Sequence, residues 1–250
     1  MIDVHTHFDM ESNKPIDKYI ETLKEAKIKN VVLILNSSNE MDLFWKNRDR
    51  LISELEMIHI VLLCDIHNPD FFYNNAQISE KLKIPYSIKL HPRLSKIERK
   101  DFCSITNYIK DFSFRNIVID SFLYGSNLES WCYIELAIFM ARNFPTHNIV
   151  MAHFGGIETL KTMLSTRELK NITYDCSLSV DYLKGTSIWM DLKHCILHSK
   201  KRVMFGSDMP SFSPQASVKN LREMLGNQEI GLWDNLFEKN AREIYFKDGV

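Results

Sequence analysis

The chain has 250 residues, 45% of them hydrophobic, and its 31 basic and 32 acidic residues leave a formal net charge of −1. This length can bury one large core, and the near-neutral charge gives no electrostatic basis for binding nucleic acid or an anionic membrane surface. No uncharged apolar stretch approaches the roughly 20 residues of a membrane helix, and no signal-peptide pattern opens the sequence. The five cysteines contain no CxxC pair, so we expect a cytoplasmic protein with free thiols.

Eight short apolar runs rich in β-branched residues predict eight strands, at 2–8, 31–38, 60–67, 86–93, 116–123, 148–156, 171–177 and 203–210. Amphipathic segments separate them, and the clearest predict helices at 15–27, 129–144, 156–164, 217–225 and 232–246. Strands start at intervals of roughly 30 residues, the length of one βα unit. Eight such units predict an α/β fold, a (β/α)8 TIM barrel in which residues 1–250 form a single domain. A competing doubly wound sheet would normally carry a glycine-rich turn after its first strand, and neither GxGxxG nor GxxxxGK[ST] occurs.

Polar residues of the types that carry out chemistry stand at the carboxyl ends of the predicted strands. Strand 1 ends with His5 and His7, which at spacing i, i+2 share one face of a strand. The candidates at the ends of strands 4, 5, 6 and 8 are Lys89, His91, Asp120, His153 and Asp208. Each has an ordinary structural explanation by itself, such as a histidine bonded to backbone or an aspartate that caps a helix. In a barrel all these strand ends meet at one mouth, so the sequence predicts one pocket built from distant residues.

Four segments, DVHTHF, IKLHP, VMAHFGG and FGSDMP, together resemble the amidohydrolase superfamily. The ending FEKNAREIYF is similar to the amidohydrolase-related branch that includes aminocarboxymuconate semialdehyde decarboxylase-like enzymes, and the resemblance covers the whole chain. It implies a barrel that holds one or two divalent metals, with Zn²⁺ as the expected ion and Mn²⁺ or Fe²⁺ as alternatives.

The resemblance also implies a role for each matching residue. His5 and His7 would bind the metal, and Asp208 would both ligate it and shuttle a proton. His153 would ligate a second metal or orient the attacking water. Lys89 stands near the position of a lysine that is carbamylated in some branches to bridge two metals.

The sequence departs from the family pattern at strand 5, where a histidine is expected and the chain reads NIVIDSFLYG. Asp120 aligns best with that histidine, and Ser121 is the alternative if the register differs by one residue. Three interpretations remain open. Asp120 replaces the histidine as an oxygen ligand, Lys89 is carbamylated or His91 becomes a ligand, or the site binds metal poorly and the protein has left hydrolytic chemistry. The candidate ligands are therefore His5, His7, Asp120, His153 and Asp208.

These residues favour a metal-dependent hydrolase of a small anionic substrate. Asp208, His153 and His91 are the candidate catalytic residues, and Lys89 and Arg93 would bind a carboxylate or phosphate of the substrate. A metal-dependent lyase, a decarboxylase or hydratase of a small unsaturated acid, would use the same residues. A third alternative, from another class, is a barrel kept as a binding or assembly protein after losing its catalytic metal.

Two loops should contribute to the pocket, namely 123–130 after strand 5 and 210–215 after strand 8. Loops of this kind determine the substrate, which the sequence does not identify. The family resemblance implies a homodimer as one option for the assembly.

Overall fold

The computed structural model describes residues 1–125, 132–199 and 202–247. Its eight strands form one parallel sheet in sequential order. They are β1 (Ile2–Thr6), β2 (Asn30–Leu35), β3 (Met57–Leu63), β4 (Tyr86–Leu90), β5 (Asn116–Asp120), β6 (Asn148–Ala152), β7 (Ile172–Asp175) and β8 (Val203–Met204). Because sequential parallel strands require a crossover between each pair, helices fill the intervals and cover the outside of the sheet.

The helices are α1 (Pro15–Glu25), α2 (Ser38–Glu54), α3 (Pro69–Lys81), α4 (Phe102–Ile109), α5 (Tyr133–Asn143), α6 (Thr159–Thr166), α7 (Ser179–Tyr182), α8 (Ile188–His198), α9 (Pro214–Leu225) and α10 (Ile230–Asp234). Short 3₁₀ segments at Arg99–Asp101 and His153–Glu158 and π-helical turns at Asn235–Lys239 and Arg242–Phe246 complete the described elements. No helix in the described part of the chain is long and apolar enough to cross a membrane.

The sheet closes on itself between β1 and the segment that follows β8. The Val4 N–H donates to the Phe205 carbonyl at 3.0 Å, the Asp208 N–H to the His5 carbonyl at 2.9 Å, and the His7 N–H to the Met209 carbonyl at 2.8 Å. Closure leaves no sheet edge, and the eight alternating units confirm the predicted (β/α)8 TIM barrel.

Apolar side chains pack on both faces of the strands, as expected for parallel strands covered by helices. One buried cluster lies between the sheet and the helices, and a smaller one, which includes Val4, Val32, Val61, Val118 and Val150, fills the barrel interior. Tyr245, from the last π-helical turn, belongs to the interior cluster and closes the barrel at the amino ends of the strands.

All eight strands end two to six residues before the predicted runs do, and β8 ends earliest relative to its run. The runs 148–156 and 203–210 form strands only over Asn148–Ala152 and Val203–Met204. His153, directly after β6, has a φ of 63°, and Asp208, within the last run, has a φ of 60°, so neither residue is in an extended strand conformation.

The last predicted helix, 232–246, is confirmed as one continuous helical segment, which runs from α10 through the two π-helical turns with residues 240–241 α-helical between them. The helix predicted at 129–144 corresponds to Tyr133–Asn143, and its first residues, like residues 126–130 of the predicted pocket loop, lie outside the described residues.

Candidate active site

The two histidines at the end of β1 face the aspartate that follows β8. His5 Nε2 lies 3.4 Å from Asp208 Oδ1, and His7 Nε2 lies 3.8 Å from the same oxygen. The pairing of β1 with β2 shifts register between Asp3 and Thr6, which re-aims the side chains at this end of the strand. The resulting ring centroids of His5 and His7 are 5.4 Å apart.

His5, His153 and Asp208 bring three potential ligand atoms within 4.8 Å of one another. His5 is fully buried, and its Nε2 atom has no hydrogen-bond partner among the described residues. The other ring nitrogen, Nδ1, lies 3.2 Å from Asp175 Oδ2. A proton on Nδ1 directed at this carboxylate leaves the Nε2 lone pair free toward Asp208, which is how a metal-binding histidine is usually arranged. The donor set therefore fits a divalent metal ion.

Asp175, at the end of β7, orients two of these histidines and was not among the predicted site residues. Its Oδ1 accepts hydrogen bonds from the backbone N–H groups of His153 and Ser177, each at 3.1 Å, and from the Ser177 hydroxyl. Burial alone would raise the pKa of the Asp175 carboxyl, but His5 and these donors hold the pKa below its ordinary value. Asp175 is therefore an anion that fixes the His5 ring and the His153 backbone.

Glu40, on the first turn of α2, plays the corresponding part for His7. It takes part in the N-cap of this helix: its N–H donates to Ser37 Oγ at 3.3 Å, and its Oε2 accepts from the Asn36 N–H at 2.8 Å and the Ser37 hydroxyl at 2.9 Å. Its other oxygen, Oε1, lies 3.8 Å from His7 Nδ1. Burial raises the pKa of Glu40, but His7 and Ser37 outweigh it and lower that pKa.

Asp120 is the last residue of β5, and its carboxylate lies close to three other predicted site residues. Its Oδ2 atom lies 3.4 Å from each of Lys89 Nζ, His91 Nε2 and His153 Nε2. Lys89 and His91 come from neighbouring positions of β4 and the loop after it, and their side chains are buried. The structure thus divides the pocket into a side formed by His5, His7 and Asp208 and a side formed by Lys89, His91 and Asp120, with His153 between them.

The pKa values on this second side follow from burial and charge. Burial lowers the pKa of His91 to about 4, so its imidazole is neutral near pH 7. Burial would raise the pKa of Asp120, but His91, Lys89 and His153 hold the pKa well below its ordinary value. Burial would lower the pKa of His153, yet its bond to Asp120 raises that pKa. On the side formed by His5, His7 and Asp208, burial lowers the pKa of His5 to about 4.

Ser121, the alternative to Asp120, forms hydrogen bonds with backbone groups and does not face the pocket. Its hydroxyl donates to the carbonyl of Ala152 and accepts from the Gly155 N–H at 2.9 Å. The register of β5 therefore directs Asp120, and not Ser121, toward the site histidines.

Arg93 lies at the rim of the pocket and stacks on an exposed tyrosine. Its guanidinium carbon is 3.8 Å from the ring centroid of Tyr124, and it also donates to the Tyr124 hydroxyl. Phe122 connects this pair to the site, because its ring centroid lies 6.0 Å from that of His153 and 5.3 Å from that of exposed Tyr182. An aromatic surface thus leads from His153 to a cation at the rim.

Gly206 allows His5 to reach its position. A Cβ atom at residue 206 would lie 2.9 Å from the Cβ atoms of both His5 and Ser177. We expect Gly206→Ala to displace His5 and to destabilise the fold by about 1–3 kcal/mol, the usual cost of overpacking. Urea unfolding would measure the loss. Gly231→Ala is the control, since a Cβ there meets nothing within 4 Å, and equal stability of the two variants would contradict the prediction.

No protein-family model and no curated protein sequence matches this chain. Among solved structures, an uncharacterised TIM-barrel protein of Bordetella bronchiseptica aligns with a TM-score of 0.70 at 11% identity over 98% of both chains. The chain has the TIM-barrel fold.

Two other solved structures similar to this TIM barrel have named activities. A 2,6-dihydroxybenzoate decarboxylase in complex with 2,6-dihydroxybenzoate aligns with a TM-score of 0.55 at 12% identity, over 97% of this chain and 98% of that one. An N-isopropylammelide isopropylaminohydrolase of Burkholderia multivorans aligns with a TM-score of 0.58 at 10% identity, over 88% of this chain and 61% of that one. At these identities the similarity establishes the fold alone.

Proposed function

We propose that this TIM barrel is a metal-dependent hydrolase of the amidohydrolase superfamily that acts on a small anionic substrate. The observation that carries the proposal is the state of His5. Its Nδ1 is bonded to Asp175, while its buried Nε2, beside Asp208 and His153, has no hydrogen-bond partner among the residues that the structure describes. A buried polar atom left in this way is costly unless a ligand completes it. The isopropylaminohydrolase among the similar structures supports the same class of reaction.

His5, His7, His153 and Asp208 would hold the ion. Imidazole and carboxylate donors suit Zn²⁺ best, with Mn²⁺ or Fe²⁺ as alternatives. Such an ion supplies Lewis-acid polarisation of a substrate oxygen and makes water more acidic.

The protein's own groups would handle the protons and the substrate charge. Asp208 faces both strand-1 histidines and is the proposed acceptor of the proton from water. After it has taken that proton, Asp208 is the proposed proton donor to the leaving group, because the neutral His91 imidazole has no acidic proton to give near pH 7, and His153 would stabilise the developing oxyanion. Arg93 can bind a substrate carboxylate or phosphate in bidentate fashion, whereas the Lys89 ammonium contributes positive charge from a buried position.

A lyase is the second candidate, and the decarboxylase that aligns over nearly the full length of both chains favours it. The same residues would then deliver a proton to carbon instead of assisting the attack of water. Product analysis on a panel of small carboxylic acids separates the two, because a decarboxylase releases CO₂ and a hydrolase does not.

A binding or assembly barrel with an altered site is the third candidate, and the aspartate at the position of the expected strand-5 histidine favours it. Such a protein would bind no catalytic ion.

Metal content per chain, measured by inductively coupled plasma mass spectrometry, tests the proposal. Protein purified without chelator or polyhistidine tag is expected to carry about one equivalent of Zn, Mn or Fe, because the ion completes the buried donor set. Replacing His5 and His7 together by alanine should remove it. The control replaces His194 and His198 by alanine, since their stacked rings lie exposed on α8. Absence of any bound ion after reconstitution would refute the hydrolase and lyase proposals and leave the altered barrel.

A further inference from the structure

We propose that Asp120 is the counter-ion of Lys89 and not a metal ligand, and that this ion pair limits the site to one divalent cation. The inference rests on the proposed metal site and specifies its ligands and its stoichiometry. It concerns the position where the sequence departs from the family pattern, and therefore a property particular to this chain.

Both oxygens of Asp120 are already engaged. Oδ2 lies 3.4 Å from Lys89 Nζ, from His91 Nε2 and from His153 Nε2. Oδ1 accepts from the Phe122 N–H at 3.4 Å. Lys89 and His91 are the partners that Asp120 would have to give up to coordinate an ion. The His153 contact does not count among them, because His153 Nδ1 is bonded to Ser177 and its Nε2 is the nitrogen left for the metal.

Lys89 requires such a partner. Its side chain is 2% exposed, and the Asp120 side chain is 10% exposed. Removing one member of a buried ion pair leaves the other charge uncompensated in a medium of low polarity, which is strongly unfavourable. Asp120 can therefore leave Lys89 for a metal only if another anion takes its place.

The arrangement of donor atoms agrees with this assignment. In the described part of the chain, the side chains grouped closely enough to hold a metal are His5, His153 and Asp208. His7 and Asp120 both lie outside this group, but His7 Nε2 is 3.8 Å from the Asp208 carboxylate whereas Asp120 faces the Lys89 ammonium. A second ion on the β4 and β5 side would lie beside the Lys89 ammonium and would be repelled by it. A carbamate on Lys89 would require this nitrogen to leave Asp120 and to lose its positive charge.

The test compares three proteins by metal content and by competitive titration with a chelator. Wild type is expected to bind one equivalent of Zn²⁺. The double variant Lys89→Met/Asp120→Asn removes both charges together. We expect it to bind one equivalent of Zn²⁺ with an affinity within about tenfold of wild type, which is the smallest change usually seen when residues that contact metal ligands are replaced. His5→Asn is the control that should lose the ion.

Two equivalents in wild type, or loss of the ion from the double variant as complete as in His5→Asn, would overturn the inference while leaving metal-dependent function intact. Nuclear magnetic resonance after exchange with ¹³C-bicarbonate gives a further readout. No carbamate signal is expected on Lys89, and a signal that disappears in Lys89→Met would overturn the assignment.

The ion pair can also be tested without metal, by its contribution to the stability of the fold. In chelated protein, Asp120→Asn and Lys89→Met should each lower the urea midpoint, and the double variant should be more stable than the sum of the two losses predicts. Additive losses would refute the pair. If wild type binds no ion at all, the proposed function fails, whereas this cycle still decides whether Asp120 and Lys89 act together.

Discussion

Asp175→Asn is expected to weaken metal binding by about 10- to 100-fold, the usual effect of altering a group that orients a ligand. The backbone N–H groups of His153 and Ser177 both point at Oδ1, so the carboxamide oxygen takes that position and the NH₂ group faces His5 Nδ1. Because two donors cannot face each other, the His5 proton moves from Nδ1 to Nε2, the nitrogen that faces Asp208. A protonated Nε2 cannot ligate an ion. Competitive titration of Zn²⁺ against a chelator measures the change.

Asp181→Asn is the matched control for this prediction. Asp181 is also buried and accepts from the Ser217 hydroxyl and the Asn220 amide, each at 2.7 Å, but these partners lie on α9 and not among the site histidines. Its Zn²⁺ affinity should equal that of wild type. Imidazole ¹⁵N spectra should also show the proton of His5 on Nε2 in Asp175→Asn only. An unchanged His5 tautomer together with unchanged affinity would mean that Asp175 serves the fold alone.

The fold could be predicted from the sequence because parallel barrel strands are buried on both faces and therefore read as continuous apolar runs. Each of the eight predicted runs overlaps one strand of the barrel. Their carboxyl ends could not be located in the same way, because apolar residues continue into the turns. Phe154 is fully buried although its φ is 47°, so its hydrophobicity does not distinguish a strand from the turn that follows.

The grouping of the candidate site residues was predictable to the extent that these residues end strands. His5, His7, His153 and Asp208 were found by that criterion, and the structure brings them together. Asp175 also ends a strand and could have been found by the same signal. Glu40 could not, because its sequence context is that of a helix N-cap, which predicts only the start of a helix. Its second contact, with His7, depends on where α2 packs over the barrel mouth.

The role of Asp120 shows the limit of alignment to a family pattern. The sequence places an aspartate where a ligand is expected, which suggests replacement of one ligand by another. The buried Lys89 ammonium changes that interpretation, because a charge 3.4 Å away determines what the carboxylate can do. That distance follows from the pairing of β4 with β5, where Lys89 is the register partner of Val118, two residues before Asp120. Such a contact between strands is set by register and is not visible in either segment alone.

Tyr245→Ala is expected to lower the free energy of unfolding by about 3–5 kcal/mol, the range for truncating a buried aromatic side chain to alanine. Tyr245 is 1% exposed, belongs to the cluster that fills the barrel interior, and packs edge-on against His59 with ring centroids 5.2 Å apart. Truncation would open a cavity beneath the barrel strands, which the rigid sheet cannot collapse to fill. Urea unfolding followed by fluorescence measures the loss.

Tyr245→Phe is the control, since it keeps the ring and removes only the hydroxyl, and it should lose less stability than Tyr245→Ala. The folded fraction of Tyr245→Ala should bind Zn²⁺ as wild type does, because Tyr245 lies at the amino ends of the strands and the candidate ligands lie at the carboxyl ends. Loss of the ion from folded Tyr245→Ala would contradict this separation. It would mean that packing at the closed end sets the position of His5 through β1, so that stability and metal binding in this barrel depend on the same contacts.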